Sequence, residues 1–243
     1  AALPPIPGLA DTPHFTNETI FANRILPAHL LIIGGGPIGI EMAQAFRRLG
    51  SHVTVLEAAT FLPKDDPELA AIVVARLREE GVDLRSGVKI DRVERTPDGG
   101  VAVLADGTRL TGTHLLVAAG RTPVTEGLDL DKAGVAHTKK GIAVDASLRT
   151  SNRNVWAIGD CNGLYPFTHM AGYEASLFIR GALFRAPAKL DAAIVPWATY
   201  SDPELAQVGV GEHEARQKYG DGIKVLRWKF AENDRAQTER AID

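Results

Sequence analysis

Three glycines at a fixed spacing, Gly34-x-Gly36-x-x-Gly39, stand between an apolar run, Leu30-Leu31-Ile32-Ile33, and a stretch with helical periodicity. Glycines so placed can hold a diphosphate. The first permits a tight turn, the second lets the backbone approach the pyrophosphate, and the third lets the following helix sit close on the strand. Gly36, Pro37, Ile38 and Gly39 fall at the start of that helix, where free N–H groups attract an anion. A second apolar stretch, Val53-Thr54-Val55-Leu56, delivers Glu57 18 residues after Gly39, where a carboxylate can accept both hydroxyls of an adenosine ribose. A 2′-phosphate would meet like charge there, and Ala58-Ala59-Thr60 offers no arginine to neutralise it. The chemistry expected is binding of NAD(H) in preference to NADP(H).

Other residues could carry chemistry further along. Asp160 follows Gly159 at the carboxyl end of Asn154-Val155-Trp156-Ala157-Ile158, the end at which open α/β sheets place their ligands. A helix starting near Thr168 would aim unpaired N–H groups and a positive dipole end at whatever precedes it. Glu41 lies on the glycine-loop helix, off its apolar face. Cys161 is the sole cysteine of the 243 residues, which excludes an internal disulfide, a cysteine-rich zinc site or a dithiol pair among them; it reads as a small packing residue. Seven histidines are scattered without ligand spacing, so no metal site is expected.

Those residues need elements to position them. With 45% apolar and 23% charged residues the chain is an ordinary globular sequence. A net charge of −3 gives no sign of a nucleic-acid or membrane partner, and no apolar run is long enough for a bilayer; a cytoplasmic protein is expected. The periodicity predicts a buried parallel strand at 30–33 and a helix with Ile38, Met42, Ala45, Phe46 and Leu49 on its buried face, ended by Gly50. A second strand follows, then a helix begun by Asp65-Asp66-Pro67-Glu68 with Leu69, Ile72, Val73 and Leu77 buried, closed by Gly81. KIDRVER, VAVLA and TRL, punctuated by Asp98-Gly99 and Asp106-Gly107, predict a small antiparallel meander before His114-Leu115-Leu116-Val117 restores the parallel sheet. Gly141–Asp145 and Asn154–Ile158 read as strands. The helix from Thr168 would bury Ala171, Ala175, Phe178, Ile179, Ala182 and Leu183, and VPWATYS, AQVGV and KVLRWKF read as strands around a helix at Glu212 to Tyr219.

In that order these segments resemble the flavoprotein pyridine nucleotide-disulfide oxidoreductases, the family of dihydrolipoamide dehydrogenase, glutathione reductase and mercuric reductase. LPAHLLIIGGGPIGIEMAQAFRRLGSHVTVLE is similar to the family's NAD-domain core. LLVAAGRTPVTEGLDLDKAGV is similar to the return crossing into its FAD domain, and TSNRNVWAIGDC to its second FAD motif. FTHMAGYEA and YSDPELAQVGVGEHEA are most similar to the mercuric-reductase-like branch, and WKFAENDRAQTER to the first part of the interface domain. The resemblance implies an α/β fold: a Rossmann-like NAD-binding domain with an antiparallel meander, inserted in the remnant of an FAD-binding domain, plus the start of an α+β interface domain. It divides the chain into a connection at 1–23, an NAD domain at 24–120, a second FAD-domain segment at 121–188 and a partial interface domain at 189–243.

The same resemblance implies a homodimeric enzyme that passes a hydride from NADH to FAD and on to a disulfide or metal acceptor. Asp160 would accept a hydrogen bond from the ribityl chain, with Thr168 and His169 at the flavin pyrimidine edge. Glu41 would stand at the nicotinamide, and Gly120 and Arg121 in a loop near both the nicotinamide and the FAD pyrophosphate. A histidine at a helix start is more often a packing or capping residue, and His169 reads that way on its own. Pro37 replaces the bulky aromatic that some relatives carry in the glycine loop. The family's first glycine unit, its redox cysteine pair and its terminal histidine and glutamate have no counterpart here, so the expectation is a segment of a longer protein, inactive alone. A module that senses NAD(H) without turnover and a disulfide-free NADH:flavin reductase remain as alternatives, and the electron acceptor stays open among Hg(II), lipoamide, other disulfides and quinones.

Overall fold

The structure, a computed structural model, describes residues 1–97 and 100–240; the expected Asp98-Gly99 turn lies outside the described residues. Its centre is a four-stranded parallel sheet built from β1 (His29–Ile33), β2 (His52–Glu57), β3 (Asp83–Ser86) and β7 (His114–Val117), in the order β3-β2-β1-β7. Register pairs Leu30 with Val53 and with His114. Because alternate side chains of a strand point to opposite faces, β1 feeds two cores. Leu30 and Ile32 join Val53, Val55, Ile40, Val73 and Leu77 under the helices, whereas Leu31 and Ile33 join Leu56, Leu115, Val93 and Val103 on the other side. Both faces are therefore covered and the strand can be apolar throughout. Each such Leu or Ile contributes about 2 kcal/mol by leaving water.

The helical layer consists of α1 (Pro37–Arg48) and α2 (Pro67–Glu79), which cross over between parallel strands. Asp66 caps α2 by accepting from the N–H groups of Glu68 and Leu69, and Pro67 occupies its first turn. The buried faces are rotated from the apolar periodicity. Gly39, Ile40, Ala43 and Gln44 are buried on α1, and Ala70, Val73 and Leu77 on α2, while Leu49, Leu69 and Ile72 are exposed. On α1 the buried face includes Gln44, whose amide is paired with the Asp202 backbone.

The opposite layer is the antiparallel meander of β4 (Ile90–Arg95), β5 (Val101–Ala105) and β6 (Thr108–Gly112). Ala105 pairs with Thr108, leaving a two-residue turn in which Asp106 and Gly107 both have positive φ, 48° and 74°, the backbone that a tight hairpin demands. Part of the segment before β1 is packed on the sheet. Leu9 is buried with the meander core, Val93 donates its N–H to Pro7, and Phe15 bridges in parallel to Leu116 at the β7 edge.

Strand expectations hold less well after residue 120. Gly141 and Ile142 form β9, paired with β8 (His137–Thr138), but the pairing stops there. Asn154–Ile158 makes only an isolated bridge between Trp156 and Arg149. A strand is held by its neighbours, and among the described residues none offers this segment a ladder. Next come α3 (Thr168–Ala182), which buries Met170, Glu174 and Leu177 rather than the alanine stripe, and the hairpin of β10 (Pro196–Thr199) and β11 (Leu205–Val208). Contacts divide the chain into two compact units, Ala1–Gly209 and Val210–Asp243. The second contains α4 (Glu212–Tyr219), with an Arg216–Glu212 ion pair at 2.8 Å, and α5 (Asp234–Glu239), capped by Asn233. KVLRWKF forms no strand there; Leu226, Trp228 and Phe230 alternate as a strand pattern should, yet all are exposed.

Three histidines, His29, His52 and His114, begin strands at the end of the sheet away from the glycine loop. His29 on β1 places Nε2 3.0 Å from the Thr54 hydroxyl, and burial, aided by the neighbouring His52, pushes its imidazolium down from the usual range. Burial does the same to His114 on β7, whose ring stacks on Phe15. A depressed histidine pKa means that the unfolded chain takes up protons the folded chain refuses. The resulting stability is present above about pH 6.5 and is lost as pH falls through the folded values. Urea unfolding at pH 7.5 and 5.5 should therefore show a smaller acid loss in His29→Gln/His114→Gln than in the wild type; parallel losses would mean that neither ring is held neutral.

Candidate functional site

β1 ends against a constriction that only glycine tolerates. At Gly34, φ is +111° and an added Cβ would stand 2.5 Å from the Ala118 carbonyl oxygen, while a Cβ on Gly39 would stand 2.0 Å from that of Gly34. The first turn of α1 thus lies directly on the strand end. Gly36, between them, is different: an added Cβ would meet nothing within 4 Å. It is the N-cap of α1, no side chain caps it, and Pro37 takes the first helical position. The N–H groups of Ile38 and Gly39 are therefore left without an intrahelical or side-chain acceptor beside open space, the arrangement that receives an anion at a helix N-terminus.

Glu57 closes one side of this cradle. The parallel register sets Ile33 opposite Leu56, which brings the carboxylate to the glycine loop. Its Oε2 accepts the Gly35 N–H at 2.6 Å and its Oε1 the Ala59 N–H at 2.8 Å. Each oxygen keeps a further lone pair, enough for a diol. Phe61 packs against Gly35, where a Cβ would fall 2.4 Å from its ring, and the Leu62 N–H donates to the Gly35 carbonyl. The segment after β2 thus folds over the loop and fixes the carboxylate.

Glu41 is half-buried, not a solvated helix charge. Its Oε1 accepts the Tyr200 N–H at 2.9 Å, and burial pushes its carboxyl above the usual range. One turn on, Gln44 exchanges two hydrogen bonds with the Asp202 backbone, both at 2.8 Å. Arg48 then reaches Glu80 at 2.6 Å and Asp202 at 2.7 Å. Residues 41, 44 and 48 share one helix face and form a polar seam between α1 and the segment after β10. Sequence reading missed this seam, although polar residues at that spacing beside an apolar stripe were its visible signal.

A second group gathers after β7. Gly120 has φ +127° and its carbonyl accepts the Ala2 N–H. Arg121 places Nη1 3.6 Å from Asp160 Oδ2 and donates to the Pro166 carbonyl, so Arg121, Asp160 and the approach to α3 come together. Asp160 rides on a short 3₁₀ turn, Gly159–Asn162. Thr168 begins α3, and Phe167 as N-cap offers no side-chain acceptor. His169 turns aside: its Nε2 meets the Pro196 carbonyl at 2.8 Å and its ring stacks on Phe167. The Cys161 thiol donates to Ile158 and lies against Val135, Ile142 and Ala157; burial pushes it up, away from thiolate chemistry. Among the described residues no three His, Cys, Asp or Glu gather as for a metal ion, and no helix is long and apolar enough to cross a membrane.

Comparison with known proteins adds lineage to this geometry. Residues 1–175 match the pyridine nucleotide-disulphide oxidoreductase family, and residues 195–243 match its dimerisation domain. Mercuric reductase of Acidithiobacillus ferrooxidans is 36% identical over 92% of the chain and 40% of its own length. The probable pyridine nucleotide-disulfide oxidoreductase RclA of Escherichia coli is 36% identical over 97% of the chain and 54% of its own length. Among solved structures, the Cu(II) complex of the HOCl-induced flavoprotein disulfide reductase RclA superposes with a TM-score of 0.88 at 34% identity, covering the whole chain and 55% of that protein. LpdA of Mycobacterium tuberculosis gives 0.84 at 28%, over 93% of the chain and 50% of that protein. The chain thus spans about half the length of the relatives it matches. With an α/β fold of one parallel and several antiparallel sheets, and with the start of the dimerisation domain following the nucleotide-binding region in order, the chain belongs to the pyridine nucleotide-disulphide oxidoreductase family.

Proposed function

We propose that this chain carries the NAD(H) site and part of the FAD site of a cytoplasmic, homodimeric NADH-dependent flavoprotein oxidoreductase that delivers electrons to a disulfide or metal acceptor. On this reading residues 24–120 are the NAD-binding domain, 1–23 and 121–188 belong to an FAD-binding domain, and 189–243 begin the interface domain. The carrying observation is Glu57, anchored by two backbone N–H groups beside a glycine, Gly36, whose missing side chain leaves open space.

The residues present fit a dinucleotide. The N–H groups at the start of α1 take the diphosphate, which Gly36 admits and which Pro37, Ile38 and Gly39 flank. Glu57 takes the two ribose hydroxyls and repels a 2′-phosphate. Glu41, on the next turn of the same helix, lies toward the nicotinamide. The residues after β7 fit the flavin side: Asp160 offers a half-exposed carboxylate, Arg121 a guanidinium and Thr168 an uncapped helix start, with Gly120 giving the loop its turn and His169 packing behind it. Bound together, NADH and FAD would supply hydride transfer and onward electron flow. The single cysteine of these residues supplies no redox pair.

Calorimetry should find NADH at least tenfold tighter than NADPH, a difference of about 1.4 kcal/mol, with the preference lost in Glu57→Ala; equal affinities in the wild type would overturn the role of Glu57. The two glycines separate binding from folding. Gly36→Ala should weaken NADH more than tenfold while unfolding free energy changes by less than about 1 kcal/mol, whereas Gly39→Ala, forced against backbone, should lose about 3 kcal/mol or more of stability. Undiminished NADH binding by Gly36→Ala would place the diphosphate elsewhere.

A further inference from the structure

Glu174 is a fully buried carboxylate in the middle of α3, at 0% exposure, on the stripe that also buries Met170 and Leu177. An apolar residue would be expected there. A carboxyl group so deep is costly unless hydrogen bonds hold it. Its Oε2 accepts two such bonds, from the Gly159 N–H and from Asn162 Nδ2, both at 2.7 Å. Oε1 is buried without a hydrogen-bond partner.

The two donors flank Asp160. Gly159 begins the short turn and Asn162 ends it, and the Asn162 Oδ1 in turn accepts the Leu164 N–H at 2.9 Å. Gly159, at φ +72°, lies so near α3 that an added Cβ would stand 3.2 Å from Ala171 Cβ. Helix and turn are therefore docked by one carboxylate. Asp160 itself is half-exposed, and among the described residues the 3.6 Å contact with Arg121 is the one that directs its side chain. Its aim is set by the turn beneath it.

We propose that Glu174 is a positioning residue for the flavin side of the site: through its clamp on Gly159 and Asn162 it fixes the turn that presents Asp160 to the ribityl chain. The inference rests on the assignment of Asp160 to FAD made above. Removing the carboxylate leaves the Gly159 N–H buried and unpaired and the Asn162 Nδ2 with its longer, 3.4 Å bond to the Ala157 carbonyl, and the turn must shift to satisfy them. A glutamine can keep both bonds through its amide oxygen; its NH2, standing where Oε1 has no partner, costs stability but leaves the donors of the turn paired.

The test uses the FAD-reconstituted protein and reads the FAD Kd by flavin fluorescence together with visible circular dichroism of the flavin bands. Glu174→Leu should raise the FAD Kd at least tenfold and change the flavin dichroism in the same sense as Asp160→Ala. Glu174→Gln should stay within about threefold of the wild type, and Asn162→Ala should fall between. Added to Glu174→Leu, Asp160→Ala should cost less than it does alone. If Asp160→Ala weakens FAD while Glu174→Leu leaves its Kd within twofold, the proposal is overturned. If Asp160→Ala changes nothing, the assignment of Asp160 itself fails. Should Glu174→Leu not fold, Asn162→Ala decides, since an unchanged FAD Kd and flavin spectrum in that variant would also overturn the clamp.

Discussion

The N–H of Gly35 donates to Glu57 at 2.6 Å, and that bond can form only because β1 and β2 run parallel with Ile33 opposite Leu56. A slip of one residue would turn Glu57 to the other face of the sheet and move the apolar set of β2 with it. Register is thus fixed by the two cores that β1 feeds, and the position of the carboxylate follows from register. The close seat of α1 on Gly34 completes the constraint: the distance between helix start and strand end is set by atoms that leave no room for a Cβ. Hydrophobic burial decides where the site is, and the absence of side chains decides what can enter it.

The same helix serves a second surface. Its apolar and small residues meet the sheet, while Glu41, Gln44 and Arg48 meet the Tyr200–Asp202 segment. A raised carboxyl at Glu41 and a fully engaged amide at Gln44 are the cost of making that contact polar. The gain is geometric, since the hairpin of β10 and β11 is registered on the helix whose first turn forms the cradle. Glu174 repeats this logic on α3, where a buried carboxylate joins helix to turn where a methyl group could not.

Much of this was legible in the sequence wherever structure is local. Leu30 to Glu57 could be read because strand, turn, helix and strand follow one another and each glycine answers a local steric demand. The Asp106-Gly107 hairpin and the Asp66 cap were legible for the same reason. Helix faces were not. Periodicity assumed that Leu49, Leu69, Ile72, Ile179 and Leu183 lie inside, yet all five are exposed, while Gln44 and Glu174 are buried; their partners lie 158, 36, 15 and 12 residues away in the chain. Strand patterns at 154–158 and 224–230 are present in the residues, but a pattern becomes a strand only when a neighbour supplies the ladder. The meeting of Arg121 with Asp160 also spans too much chain for spacing alone to reveal.

The central claim, that a pyridine nucleotide lies on the first turn of α1 against Glu57, is tested most directly by amide chemical shifts. In a ¹⁵N-labelled sample titrated with NADH, the account predicts saturable shifts concentrated at Gly35, Gly36, Ile38, Gly39 and Ala59, with His29 and His114 at the far edge of the sheet unmoved. Saturable shifts centred elsewhere, or none at the glycine loop at millimolar NADH, would contradict it.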